Sequence, residues 1–165
     1  MTLPHAQVAT GIPRKGELLP DFELLTPEGA PTRISELRGR KTMVLLMTGD
    51  SSSELLPYCR RLATQLADVR AEDANVIAVL PANAAAVGQF ARDSGLVNGV
   101  LADCDGRAHA RIGGVPAIFV TDRHGEIFAA FHAEAAKLPS ADELLKWVQF
   151  VNMQCEECFP PEWPV

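Results

Sequence analysis

Four cysteines and one serine carry most of the chemical potential of this 165-residue chain. Cys155-Glu156-Glu157-Cys158 is a Cys-x-x-Cys motif, a spacing that closes a disulfide within the motif or supplies two of the four ligands of a tetrahedral metal site. The motif follows a predicted helix, whose C-terminal dipole end repels negative charge, and Glu156 and Glu157 add to that repulsion. Thiols in that setting are held protonated, the reverse of what activates a nucleophilic cysteine. A bound metal would deprotonate them regardless. Three readings of Cys155 and Cys158 stay open: an inert or adventitiously oxidised pair, a redox pair, and half of a metal site completed by Cys59, Cys104, a histidine or a second subunit.

The second candidate is the stretch from Met43 to Cys59, an apolar run that passes through Thr48-Gly-Asp-Ser51 into a helical pattern. Strand-to-helix junctions of this kind collect ligands in α/β proteins, because helix N-terminal N–H groups face the open end of the sheet. Ser51 stands where a nucleophile would stand. It also begins Ser51-x-x-Glu54, a capping box that explains the serine structurally. A hydrolase triad lacks a suitable base, since His109, His124 and His132 fall near predicted turns or strand ends. Asp50 makes the junction less hospitable to anions. Cys59 lies on the apolar side of the following helix, as a small buried hydrophobe does, with a resolving-type thiol as the competing reading. Cys104 sits between Asp103 and Asp105, whose charges disfavour a thiolate, so it reads as an inert free thiol.

The elements that must hold these residues follow from periodicity and punctuation. Residues 1–16, with two prolines and two glycines, read as a flexible arm. Asp21–Leu25, a Thr26-Pro-Glu-Gly29 turn and Thr32–Ile34 make a small hairpin, and Ser35–Gly39 a single helical turn. Thr42–Met47 is a buried strand. One helix then runs from Ser51 to about Ala71 on apolar positions Leu55, Cys59, Leu62, Leu66 and Val69, bent where Pro57 removes a donor. Strand Asn75–Leu80, helix Asn83–Arg92 closed by Ser94-Gly95, strand Val100–Asp103 and a short helix Ala108–Ile112 follow. Pro116–Thr121 and Glu126–His132 flank a hairpin turn at Asp122–Gly125. Ser140-x-x-Glu143 opens a last helix to about Gln154. The eleven residues 155–165 contain three prolines and cannot continue it. Trp147, Phe150, Met153 and Trp163 form an apolar strip that either packs under the returning tail or serves as a dimer surface.

The order βαβαβ(α)ββα predicts one α/β domain over residues 17–154: a central mixed β-sheet flanked by helices on both faces, with an N-terminal hairpin and a Pro-rich C-terminal tail. The net charge of -6, with no run of Lys or Arg to form a basic face, argues against a nucleic-acid partner. The absence of a basic leader with an apolar core, and of any bilayer-length apolar run, points away from secretion and from membranes and towards the cytoplasm. Cysteines in that compartment are rarely structural disulfides.

Leu19-Pro-Asp-Phe22, Ile34-Ser-Glu-Leu-Arg-Gly39, the Thr48–Pro57 junction, Leu101-Ala-Asp103, Gly114-Val-Pro116 and Leu138–Leu145 occur in an order that resembles the thioredoxin superfamily, and within it the peroxiredoxins (alkyl hydroperoxide reductase/thiol-specific antioxidant proteins). The resemblance covers about residues 16–154 and implies a thioredoxin-like fold, an oxidoreductase or antioxidant class, no bound cofactor, and a protein or small-molecule thiol as partner. It also implies that Val115-Pro116 forms the cis-proline bond facing the site. Peroxiredoxins carry Pro-x-x-x-Thr-x-x-Cys at the junction; here Thr48 matches, Val44 replaces the proline and Ser51 replaces the peroxidatic cysteine. The family's activating arginine aligns with Phe128. A serine hydroxyl neither ionises near neutral pH nor cycles through a sulfenic acid, so peroxide reduction at Ser51 is not expected. Two functions remain: thiol–disulfide exchange at Cys155 and Cys158, or a non-catalytic binding module whose pocket is framed by Thr48, Ser51, Val115 and Pro116. A metal-stapled homodimer through Cys155 and Cys158 is a third expectation.

Overall fold

The computed structural model describes residues 11–37, 41–112 and 116–154. Strands β1 (Glu23–Leu25), β2 (Pro31–Arg33), β3 (Thr42–Met47), β4 (Ala74–Leu80), β5 (Val100–Ala102), β6 (Ala117–Thr121) and β7 (Ile127–His132) form a seven-stranded sheet in the order β2-β1-β5-β4-β3-β6-β7. The β3–β4 and β4–β5 pairs are parallel; β3–β6, β6–β7, β1–β2 and β1–β5 are antiparallel. Helices α1 (Ser52–Thr64), α2 (Leu66–Ala71), α3 (Ala84–Ser94), α4 (Arg107–Ile112) and α5 (Ala141–Asn152) complete the fold. This is the mixed α/β architecture the sequence predicts.

The central strand is buried along its whole length, and its alternation feeds two cores. Val44 and Leu46 join Leu55, Leu62, Val87, Leu144 and Val148 on the face covered by α1, α3 and α5. Met43, Leu45 and Met47 point the other way, against Leu19, Phe22, Ile112 and Phe119 beneath α4 and the N-terminal segment. The unbroken apolar run from Met43 to Met47 is what burial on both faces requires.

Helix ends follow local chemistry where a side chain can reach. Asn83 caps α3 by accepting from the Ala86 N–H at 2.9 Å, and Gly95 ends it with a φ of 79°, which favours glycine. Ser140 caps α5 through the Glu143 N–H at 3.1 Å. The single helix expected from Ser51 to Ala71 is two helices. Pro57 lies within α1 without ending it. The interruption falls at Gln65, whose Nε2 donates to Asp142 at the start of α5, and residues 66–71 turn to bury Val69 against the core under β4.

The arm expected over residues 1–16 is attached at its end. The Gly16 N–H donates to the Ile127 carbonyl at 2.8 Å and the Ile127 N–H to the Glu17 carbonyl at 2.9 Å, tying the segment to the start of β7. Residues 1–10 lie outside the described part.

Candidate functional site

Three parallel strands set the geometry of the site. Met47 is in register with Val79, and Leu80 with Ala102, so the segments after β3, β4 and β5 leave one edge of the sheet together. That carboxyl edge is where open α/β sheets receive ligands.

The junction after β3 is held by Thr48, which is fully buried. Its backbone N–H donates to the Val79 carbonyl at 3.0 Å, and its hydroxyl lies 3.3 Å from the same oxygen and 3.2 Å from the Gly49 carbonyl. Gly49, at φ 56°, then turns the chain into a 3-10 turn, Gly49–Ser51, that runs directly into α1. This run-in overturns the expected capping box. An N-cap residue needs an extended backbone to bring its oxygen back over the first turn. Ser51 instead has φ −98° and ψ 22°, donates its own N–H to the Thr48 carbonyl at 3.3 Å, and makes no side-chain cap hydrogen bond. The half-buried Ser51 hydroxyl is therefore not committed to the helix. Met47 pairs with Ala117, which places Pro116 across from Thr48, and Pro116 accepts from the Ala133 N–H at 3.2 Å. Val115, and with it the Val115–Pro116 bond, lies outside the described residues.

The junction after β5 holds a feature the sequence reading missed. Asp103 is buried at 2% exposure and its carboxylate accepts from the Ala108 N–H at 3.3 Å and the His109 N–H at 2.9 Å. The same carboxylate lies 2.7 Å from His109 Nδ1; since it can only accept, Nδ1 carries the hydrogen. Burial alone would push the Asp103 carboxyl up, but the bonds from His109, from its backbone N–H and from Ala108 outweigh it and hold the carboxyl below its ordinary value. His109 Nε2 is buried without a hydrogen-bond partner. The available signal was Asp103 preceding a short helix, the position of a capping carboxylate.

A profile of the AhpC/TSA family matches residues 16–130. The chain belongs to the AhpC/TSA family. Solved structures agree on the fold. A peroxiredoxin-like protein from Aquifex aeolicus superposes with a TM-score of 0.71 at 17% identity, over 85% of this chain and 88% of that one. A thiol peroxidase from Chromobacterium violaceum gives 0.66 at 17% identity over 84% and 88%, and a secreted disulfide oxidoreductase from Mycobacterium tuberculosis 0.65 at 22% over 78% and 95%. No curated protein sequence matches the chain.

Within this AhpC/TSA-family chain, the edge after β3 gathers Thr48, Ser51 and Pro116, but not Phe128. Phe128 lies between Ile127 and Ala129, which pair with Thr121 and Val120 at the Met43–Val44 end of β3. The pocket edge instead corresponds to His132, opposite Ala117. Phe128 packs against the core below α1 and α5 and is not a pocket residue. The alignment that put it there followed chain order across the hairpin, whereas an antiparallel return carries the first residues of β7 away from the site.

The cysteines separate by burial. Cys59 is fully buried on α1, and burial pushes its thiol up to about 12, as the small-hydrophobe reading expects. Cys104 is exposed in the turn after Asp103. Cys155 and Cys158 lie outside the described residues. The chain approaches them from the far edge of the sheet: Asn152, the last residue of α5, accepts from the Thr42 hydroxyl at 2.6 Å, and its Nδ2 donates to the Glu72 carbonyl. Thr42 opens β3 and Thr48 follows it, a run of about 20 Å. Among the described residues there is no group of three or more His, Cys, Asp or Glu side chains able to hold a metal, and no helix long and apolar enough to cross a membrane.

Proposed function

We propose that this AhpC/TSA-family protein is a thiol–disulfide oxidoreductase whose redox pair is Cys155 and Cys158, with Ser51 in the place of the peroxidatic cysteine. The observation that carries the proposal is the state of the other two thiols. Cys59 is sealed in the core with its thiol raised to about 12, and Cys104 stands alone and exposed in the turn after β5. With Cys59 inaccessible, the exposed Cys104 has no accessible cysteine partner among the described residues, which leaves two-cysteine exchange to the Cys-x-x-Cys motif.

In the proposed reaction one thiolate of the pair attacks a sulfur of a partner's disulfide, forming a mixed disulfide and releasing one partner thiolate. The second cysteine attacks the mixed disulfide. The products are a Cys155–Cys158 disulfide and a partner reduced by two electrons, its two released thiolates taking up protons. A dithiol of the thioredoxin type returns the pair to the reduced state. The partner is a protein or small-molecule thiol or disulfide, and the setting is the cytoplasm. The neighbouring carboxylates of Glu156 and Glu157 disfavour a thiolate, so turnover should rise with pH.

Thiol titration of the unfolded chain, with and without prior reduction and together with metal analysis, tests the reading. All four cysteines should titrate after reduction, and two (four less the pair in one disulfide) after oxidation by a disulfide substrate. Four thiols under both conditions would end the redox proposal, and stoichiometric metal would replace it with the thiolate-site reading.

A second reading is supported by the uncommitted hydroxyl of Ser51, framed by Thr48 and Pro116. In it the edge after β3 binds a partner's extended segment without catalysis. A partner retained by a chain with Ser at positions 59, 104, 155 and 158 supports it, and a partner lost with the thiols contradicts it.

A further inference from the structure

On α5, Lys146, Phe150 and Met153 are spaced i, i+4 and i+7 and share one outward face, opposite Leu144, Val148 and Val151 in the core. Phe150 is 43% exposed and Met153 75%. They are not isolated. Phe150 meets Trp147 edge-on with ring centroids 5.8 Å apart, and Trp147 meets Phe131 of β7 at 6.4 Å. An aromatic row thus runs from the outer strand of the sheet to Phe150 in the last turn of α5, and Met153, which follows on the same face, is the most exposed large apolar side chain among the described residues.

We infer that this face is the docking surface for the chain's own residues 155–165, seated through Phe159 and Trp163. Several observations favour that occupant over a second copy. The segment begins two residues after Met153, so docking closes a short loop at small entropic cost. Phe159 is six residues beyond Met153, within a reach of about 20 Å, while Phe150 lies only about 4.5 Å back along the helix axis. Pro160, Pro161 and Pro164 have no N–H, so the segment can lie on an apolar surface with fewer stranded donors than an ordinary extended chain. Glu156, Glu157 and Glu162 complement Lys146, which stands exposed on the same face. The inference does not depend on Cys155 and Cys158 being a redox pair.

The test uses the full chain in its reduced state with Trp147→Phe, which leaves Trp163 as the sole tryptophan. Docking predicts blue-shifted Trp163 emission and acrylamide quenching several-fold weaker than in the same chain carrying Met153→Glu, with both readouts independent of protein concentration. Amide exchange gives a second readout that needs no change on α5: Phe159→Ser with Trp163→Ser should speed exchange over residues 150–154. Trp163 quenched equally with and without Met153→Glu overturns the inference. So does protection that appears only as concentration rises, which would assign the face to a second copy.

Discussion

The junctions after β3 and after β5 leave the same edge of the sheet and are wired in opposite ways. After β3, Ser51 presents a hydroxyl that caps nothing, beside a Thr48 turned back onto the Val79 carbonyl. After β5, every oxygen of the Asp103 carboxylate is engaged by α4 or His109. The first junction is open but holds no group that ionises near neutral pH. The second holds a carboxylate–imidazole pair of the kind found in catalysis and uses it to start a short helix. Position at the carboxyl edge of a sheet does not by itself make a site. The hydrogen-bond inventory decides which polar groups are left to act.

The largest expected contrast is between the cysteines attached to the two junctions. Cys104, in the second, should react with a thiol reagent in the native protein, while Cys59, on the helix that leaves the first, should wait for unfolding, a difference of about a thousandfold or more in labelling rate. Comparable rates would mean that α1 opens readily.

Next is Asp103→Ala. It strands the buried N–H groups of Ala108 and His109 together with the imidazole, and should cost about 3 kcal/mol in chemical denaturation. The pH dependence has a definite sign. A carboxyl held below its ordinary value stabilises the fold fully above the unfolded aspartate value, and that contribution is lost as pH falls through the lowered folded value. Denaturation midpoints of the native chain should therefore drop on acidification more than those of Asp103→Asn.

Tyr58→Phe removes the hydroxyl that donates to the Pro139 carbonyl at 2.7 Å, a buried bond between α1 and the segment before α5, and should cost about 1.5 kcal/mol. The smallest effect belongs to Ser51→Ala. A working N-cap serine would cost about 1 kcal/mol. With no cap bond to lose, the change should stay within about 0.5 kcal/mol. A larger loss would return the junction to a structural role and narrow the contrast with Asp103.

Much of the fold was legible because its signals are local. The unbroken apolar run Met43–Met47, the Asn83 and Ser140 caps, Gly95, and the Asp122–Gly125 turn each act within a few residues. What escaped carries no such local signal. The break at Gln65 has no glycine or proline to announce it, and Phe128 could be placed only once the register of β6 and β7 was known. Ser51 shows the same limit from the other side. The Ser-x-x-Glu pattern is satisfied, but the preceding Gly49 turn sets the backbone angle that keeps the pattern from working. The Asp103–His109 pair was present as residue types, and its partnership came from the coiling of α4.

The central claim is that thiol chemistry belongs to Cys155 and Cys158 and not to the junction after β3. Its most direct measurement is turnover of a disulfide substrate, with a dithiol reductant, by the native chain, by Cys155→Ser and by Ser51→Ala. The account predicts that Cys155→Ser abolishes turnover and that Ser51→Ala keeps it. Turnover that survives Cys155→Ser, or that disappears with Ser51→Ala, would contradict it.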